Sequence, residues 1–323
     1  MTNPNSESPN LTKDTCEFIE ELNKQNMQPL YTLSPQDARN VLRDLQAKTH
    51  KTIEADIQDM IIHTENFGDL DIRIVRPENN NNTLPVILYI HGGGWVLGDK
   101  DTHDELIRKL ANKTDSVVIF PSYSLSPEAQ YPVAINQIYE LLKYIHKNSQ
   151  EFNINPDNIK IAGDSVGGNM AAAIVLKSKK ENGPKIRFLA LFYPVTNADM
   201  DSKSYDNFEH GPWLTKEAMK WFWDSYLPDK SKKDEIYVSP LKASMNDLKD
   251  FPKTLILTVE NDVLRDEGEA FARKLDEAGV QVLNFRVNCT IHDFMMLNAL
   301  SETSPAKDAI TLASYMIGNN CEI

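Results

Sequence analysis

The stretch Asn158-Ile-Lys160-Ile-Ala-Gly163-Asp164-Ser165-Val166-Gly167-Gly168-Asn169 decides how this chain is read. Ile159 to Ala162 is a short run with apolar character, and Met170-Ala-Ala-Ala-Ile-Val-Leu176 is built from strong helix formers. A buried strand therefore runs to Gly163, the chain turns sharply at Ser165, and a helix follows. Gly163 and Gly167 bracket the serine with the G-x-S-x-G spacing of a nucleophile elbow. Such a turn holds its serine in a strained backbone conformation and leaves no room for neighbouring side chains, which is why glycine stands on both sides. Read alone, the same five residues also describe a plain glycine-rich turn that starts a helix. Choosing between the two requires a base, an acid and an oxyanion hole in the right order along the chain.

Upstream, Leu84-Pro-Val-Ile-Leu-Tyr-Ile90 reads as a buried strand that ends at His91-Gly92-Gly93-Gly94-Trp95. Three successive glycines let backbone N–H groups approach a ligand without obstruction. An oxyanion hole needs such donors, fixed where negative charge develops, and losing one costs roughly 3–4 kcal/mol of transition-state stabilisation. A merely flexible loop is the alternative. The position directly after a buried strand, paired with the serine turn, favours the donor reading.

Working outward, strands and helices alternate. Helical periods cover Glu17 to Lys24 and Ser34 to Lys48, the latter opened by Ser34 as N-cap and Pro35 in the first turn. Gln58 to Thr64 and Leu70 to Arg76 read as strands joined by the turn Asn66-Phe-Gly-Asp69, and Glu78 to Thr83 as a polar loop. Then come a helix from about Thr102 to Asn112, a strand Ser116 to Phe120, a helix Val133 to Asn148, and the serine strand with its helix. That helix runs to Lys180 and stops at Asn182-Gly-Pro184. Strand Ile186 to Tyr193 follows. Residues Val195 to about Lys233 interrupt the alternation with an aromatic-rich, helix-prone segment. It resumes with strand Thr254 to Val259, helix Glu267 to Ala278, strand Val280 to Val287 and a helix from about Pro305 to Met316. The expected fold class is α/β, a mostly parallel central sheet with helices on both faces, in a single domain spanning 1–323. Residues 1 to about 15, rich in Asn, Ser and Thr, are expected to be disordered or loosely attached.

Bulk properties exclude several classes. The 323 residues are 41% hydrophobic, enough for a sizeable core, and the formal net charge of −13 repels phosphate backbones and anionic membrane surfaces. Nucleic-acid binding is therefore not expected. Neither is membrane insertion: no run approaches eighteen apolar residues, and the polar start Met1 to Asn10 carries no secretory pattern. Cys16, Cys289 and Cys321 are widely spaced and odd in number, so they form no disulfide framework and suit a reducing, cytoplasmic setting. The seven histidines include no H-E-x-x-H pair, and no metal or cofactor is expected.

With His91-Gly-Gly-Gly-Trp95 and Gly163-Asp-Ser-Val-Gly-Gly168 in hand, the chain resembles the hormone-sensitive-lipase-like family of α/β-hydrolases, on its bacterial carboxylesterase and acetyl-esterase side. The resemblance extends from about Val86 onward and takes in Asp101-Thr-His-Asp104, Tyr123-Ser-Leu-Ser-Pro127-Glu128, Asp262-Val-Leu-Arg-Asp-Glu-Gly268 and Ile291-His292-Asp293-Phe294. It implies an α/β-hydrolase fold with a helical cap made by about 1–55 and about 197–235. It also implies Ser165 as nucleophile, His292 as base and Asp262 as acid, in the family's order along the chain. Asp266 and Glu260 are the competitors for the acid role; Asp266 fits an N-cap and Glu260 lies at the strand end. Gly93, Gly94 and Val166 are the implied oxyanion donors. His91, Asp164, Pro127 and Glu128 are expected to brace loops rather than react. Trp213, Trp221, Phe222, Trp223 and Tyr226 gather in the cap segment, some as packing and a subset as pocket lining.

The resemblance implies a serine carboxylesterase for short-acyl esters, acting through an acyl-enzyme on a small-molecule ester, with a homodimer compatible. A long-chain lipase is disfavoured. The same triad could serve an amidase or deacetylase, and the rival from another class is a non-catalytic ligand- or partner-binding protein on the same fold. Three positions depart from the family: Cys289 and Asp293 stand where glycine is common, and Ser124 where arginine is common. A carboxylate directly after the base should raise the His292 pKa above the ordinary value of about 6.5. Cys289 is expected to pack as a small hydrophobe.

Overall fold

The computed structural model describes residues 10–25, 27–47, 53–64 and 66–319. In chain order the elements are α1 (Lys13–Lys24), α2 (Pro35–Gln46), β1 (Ala55–Thr64), β2 (Gly68–Pro77), β3 (Leu84–Ile90), α3 (Asp104–Thr114), β4 (Val117–Pro121), α4 (Val133–Lys147), β5 (Ile154–Asp164) and α5 (Val166–Lys180). They continue with β6 (Ile186–Phe192), α6 (Lys203–Asn207), α7 (Lys216–Tyr226), α8 (Met245–Leu248), β7 (Lys253–Asn261), α9 (Arg265–Glu277), β8 (Val282–Ile291) and α10 (Ser304–Gly318).

The eight strands of the described residues form one sheet in the order β1-β2-β4-β3-β5-β6-β7-β8. β1 pairs antiparallel with β2 and β2 with β4, and β3 through β8 run parallel. The parallel strands are continuous apolar runs because both faces are covered. One face carries α4, α5 and α9, packed through Ile138, Leu141, Ile174 and Phe271. The other carries α3 and α10, through Leu106, Leu110, Ile310 and Ala313. α5 is buried from Val166 to Leu176, which accounts for its nearly all-apolar sequence.

The strand order fixes where chemistry can occur. From β3 the chain moves to β4 on one side, then crosses back over β3 to β5 on the other. A crevice opens at the carboxyl ends of β3 and β5, where an open α/β sheet binds its ligands. The glycine-rich loop and Ser165 both lie there.

Two early helices start as their sequences dictate: Ser34 Oγ accepts the Asp37 N–H at 3.1 Å, with Pro35 at the first helical position. Thr12 Oγ1 caps α1 through the Thr15 N–H. The expected looseness of the N-terminus is corrected for residues 10–15; residues 1–9 lie outside the described residues. Thr12 N–H donates to the Cys289 carbonyl at 2.8 Å, and Asn261 Nδ2 donates to the Asn10 carbonyl at 3.0 Å, so this segment is stitched to the ends of β7 and β8. Asp266 is not an N-cap either. It lies inside the first turn of α9, where it accepts the Ser204 N–H at 2.9 Å, while Leu264 precedes the helix. Finally, β8 runs through to Ile291, so Cys289 to Ile291 form the strand end rather than a loop. No helix among the described residues is long and apolar enough to cross a membrane.

Candidate active site

Ser165 sits between β5 and α5 with φ 54° and ψ −121°, a conformation that costs energy and persists only where its surroundings hold it. Those surroundings are tight. Ser165 N–H donates to the Phe192 carbonyl, and its own carbonyl accepts from Val195 and Asn169. Gly163 and Gly167 face each other so closely that a Cβ on Gly163 would meet the Gly167 carbonyl oxygen at 2.5 Å. On Gly167 it would overlap the Ile90 carbonyl.

His292 follows β8 directly, and Asp262 follows β7, the neighbouring strand. His292 Nε2 lies 3.0 Å from Ser165 Oγ, and His292 Nδ1 lies 2.7 Å from Asp262 Oδ2. The other Asp262 oxygen accepts the Leu264 N–H at 3.0 Å, which locks the carboxylate in place. Glu260 points elsewhere: its Oε2 accepts the Cys289 N–H at 2.7 Å. All three meeting side chains are almost fully buried. Burial pushes His292 down, but Asp262 and Asp293 outweigh it and raise the imidazole to about 9.

Gly93 and Gly94 line the same cavity as Ser165 and His292, and Val166 follows Ser165 in the chain. Val166 is the first residue of α5, so its N–H is one of the unpaired donors every helix start presents. Gly94 has φ +64°, and a Cβ there would overlap the Phe222 ring. The loop is held by its own bonds, Leu97 N–H to the Gly93 carbonyl at 2.8 Å, and by Arg39 from α2. Arg39 Nε donates to the Val96 carbonyl and Nη2 to the Ser126 carbonyl, while its fork grips Glu128 at 2.7 and 2.9 Å. Glu128 therefore acts by fixing Arg39.

Asp164, beside the nucleophile, accepts from Tyr89 Oη at 2.7 Å and Gly92 N–H at 3.0 Å, and lies 3.3 Å from His103 Nε2. Burial opposes its charge, yet His103 and Tyr89 hold its pKa below the usual carboxylate value. His91 is pushed to about 3 by burial, so it is neutral; its Nδ1 contacts the Gly92 carbonyl and its ring stacks on Tyr123.

The serine and histidine open into a cavity of about 260 Å³. Ile19, Leu22, Leu30, Leu42, Leu214 and Met219 are among its apolar lining. Of the aromatic cluster, Trp213 and Phe222 line the cavity. Trp223 and Tyr226 instead pack on Trp95, the latter ring stacked at 4.2 Å. Asp293 also lines it: Oδ1 lies 3.3 Å from His292 Nε2, and Oδ2 accepts Trp213 Nε1–H at 2.9 Å. Among the described residues no three His, Cys, Asp or Glu side chains gather to hold a metal ion.

Three supporting residues were not visible in the sequence, and a fourth, Trp213, was visible only as one of the cap aromatics. Arg39, Gln46 and Trp213 act across 57 or more positions, and Glu267, buried under the segment after β6, accepts the Thr196 N–H at 2.5 Å. The only local signal of Arg39, Gln46 and Glu267 is polarity on helices or loops, which surface residues share.

A family model described as alpha/beta hydrolase fold matches residues 87–296, and the chain belongs to that family. It is similar to the solved thermostable esterase of Pseudomonas putida ECU1011, with a TM-score of 0.95 and 42% identity over 98% of this chain and 100% of that one. It is also 35% identical to an esterase of Gibberella moniliformis, over 81% of this chain and 84% of its relative. The carboxylesterase NlhH of Mycobacterium tuberculosis is 34% identical, over 76% and 77% respectively.

Proposed function

We propose that this protein is a serine carboxylesterase that hydrolyses short-acyl esters of small molecules. The observation that carries the reading is the unbroken line Ser165 Oγ–His292 Nε2, 3.0 Å, and His292 Nδ1–Asp262 Oδ2, 2.7 Å, opening into an apolar cavity. The named activities of the esterase relatives agree with it.

In the acylation step His292 Nε2 takes the Ser165 proton as Oγ bonds to the ester carbonyl carbon. The carbonyl oxygen becomes an oxyanion, held by the N–H groups of Gly93, Gly94 and Val166. Asp262 stabilises the imidazolium without taking its proton. On collapse, the C–O bond to the alcohol breaks and His292 returns the proton to the departing alkoxide. Water then repeats the sequence on the acyl-enzyme, with His292 again as base, and releases the acid and free Ser165. No cofactor enters these steps.

The small cavity supports short acyl groups, and α1, α2, α6 and α7 are read as the cap that shapes it, within a single domain. The expected setting is the cytoplasm, with no nucleic-acid partner; a homodimer is part of the same reading.

Turnover of p-nitrophenyl esters of increasing chain length by the wild type tests the reading. Activity falling from acetate and butyrate toward long chains is expected. Best activity on long chains overturns the acyl preference, and no turnover of any ester favours a binding protein.

A further inference from the structure

The atom that faces the nucleophile has two oxygen neighbours. His292 Nε2 lies 3.0 Å from Ser165 Oγ and 3.3 Å from Asp293 Oδ1. The backbone at Asp293 is left-handed, φ +65°, so this carboxylate occupies a position where a side chain is itself costly. Its other oxygen accepts the Trp213 indole N–H at 2.9 Å. Trp213 lies in the connection between α6 and α7 and packs against Phe18 of α1, ring centroids 5.7 Å apart. One carboxylate thus ties the base to two segments above it, and it lines the cavity next to the serine.

Burial raises the Asp293 carboxyl, while the His292 imidazolium and the Trp213 indole N–H pull it back down; His103 at the start of α3 is the other imidazole that feels it, and its remaining charged neighbours are carboxylates. Asp262 approaches from the loop after β7, Asp164 from the end of β5, and Tyr193 lays its ring edge on His292 from the segment after β6. Among the described residues no lysine or arginine lines the cavity; its remaining polar side chains, Asn23 and Gln28, are neutral.

We propose that Asp293 is a specificity-determining carboxylate that restricts this site to esters whose acyl and alcohol groups carry no negative charge. This rests on the esterase reading above. Once His292 is neutral, as catalysis requires, a carboxylate on the substrate would enter an apolar cavity that holds the Asp293 charge and, among the described residues, no lysine or arginine, and like charges a few ångströms apart in such surroundings repel strongly. A neutral ester meets no such repulsion, and a cationic one gains attraction. The same carboxylate draws the proton toward His292 Nε2, so it also sets the pH at which the base is free.

The test compares kcat/KM for three acetates of similar size: anionic 4-acetoxybenzoate, neutral methyl 4-acetoxybenzoate and cationic 4-acetoxy-N,N,N-trimethylanilinium. Wild type, Asp293→Asn and Trp213→Phe are measured from pH 6 to 10, and the anion-to-neutral ratio is read within each variant, so overall activity cancels. The wild-type ratio should be low and the cation-to-neutral ratio higher. Asp293→Asn should raise the anion-to-neutral ratio about tenfold or more and move the pH midpoint to lower pH. Trp213→Phe removes the donor that holds the Asp293 carboxyl down but keeps the carboxyl itself, so at pH 10 its ratio should stay low. An unchanged ratio in Asp293→Asn overturns the proposal. Should that variant fail to fold, added salt must raise the wild-type ratio by screening the charge; a salt-independent ratio overturns it equally. Wild type inactive on all three esters would instead remove the esterase reading beneath it.

Discussion

Gln46, the last residue of α2, and Asn298, six residues past the base, hold each other through backbone and side chain. Asn298 N–H donates to Gln46 Oε1 at 3.0 Å, and Asn298 Nδ2 donates to the Gln46 carbonyl at 2.7 Å. Gln46 Nε2 then donates to the carbonyls of Thr102 and Met296. All of this is buried, so one side chain joins an N-terminal helix to the segment that carries His292. Gln46→Ala leaves several buried partners unsatisfied, and each such loss costs about 1–3 kcal/mol. Urea unfolding should show a destabilisation of about 2–4 kcal/mol with reduced kcat. A change below about 0.5 kcal/mol would mean that water replaces these bonds.

The pH dependence follows from the crowded base. An isolated histidine titrates near 6.5, whereas burial here is outweighed by Asp262 and Asp293 and the imidazole rises to about 9. The reaction needs neutral imidazole, so kcat/KM of the free enzyme should climb between about pH 6.5 and 9 and level off above. A plateau already reached at pH 7 would show that the carboxylates do not retain the proton. For stability the sign is opposite: the protonated form is favoured in the fold, so this stabilisation is full below 6.5 and is lost as pH rises through about 9.

Glu267 offers a second titration, away from the reacting atoms. Burial raises it to about 8, against the pull of the Thr196 and Asn197 N–H groups that it accepts. A carboxyl with a raised native pKa favours folding while protonated, so its contribution declines from about pH 4.5 to 8 and is constant beyond. Glu267→Gln keeps an acceptor and has nothing to titrate. Its melting temperature should therefore fall less than that of wild type between pH 5 and 8.5. Parallel curves for the two proteins would contradict the assignment.

Gly94→Ala tests the oxyanion loop. Its φ of +64° and the overlap of the new methyl with Phe222 require the loop or the ring to shift. A misplaced donor should lower kcat about 100-fold or more, while circular dichroism keeps the native spectrum. Activity within threefold of wild type would remove Gly94 from the donor set.

Much of this was legible in the sequence because it is local. Apolar runs and helix formers around Ser165 and Ile90 dictate strand, turn and helix over a few residues, and the alternation of such units implies a covered parallel sheet. Asp262 and His292 were singled out by the family resemblance, and each follows a strand whose end the fold brings to the crevice. The competitors separated only in three dimensions: Glu260 turns to the Cys289 N–H, and Asp266 to Ser204. What the sequence could not show is long-range. Arg39 on the Val96 carbonyl, Gln46 on Asn298 and Trp213 on Asp293 are bonds between distant segments with no periodicity to announce them. The N-terminal polar stretch misled for a related reason: Thr12 finds its partner on Cys289, far along the chain.

The central claim is that Ser165 Oγ is the nucleophile. Diethyl p-nitrophenyl phosphate tests it most directly, because attack at phosphorus expels p-nitrophenolate and leaves a stable diethylphosphoryl ester on the attacking oxygen. Intact-mass and peptide mass spectrometry should find one diethylphosphoryl group per chain, on Ser165, with esterase activity lost in step, and none on Ser165→Ala. A label on another residue, or full ester turnover by Ser165→Ala, would contradict the account.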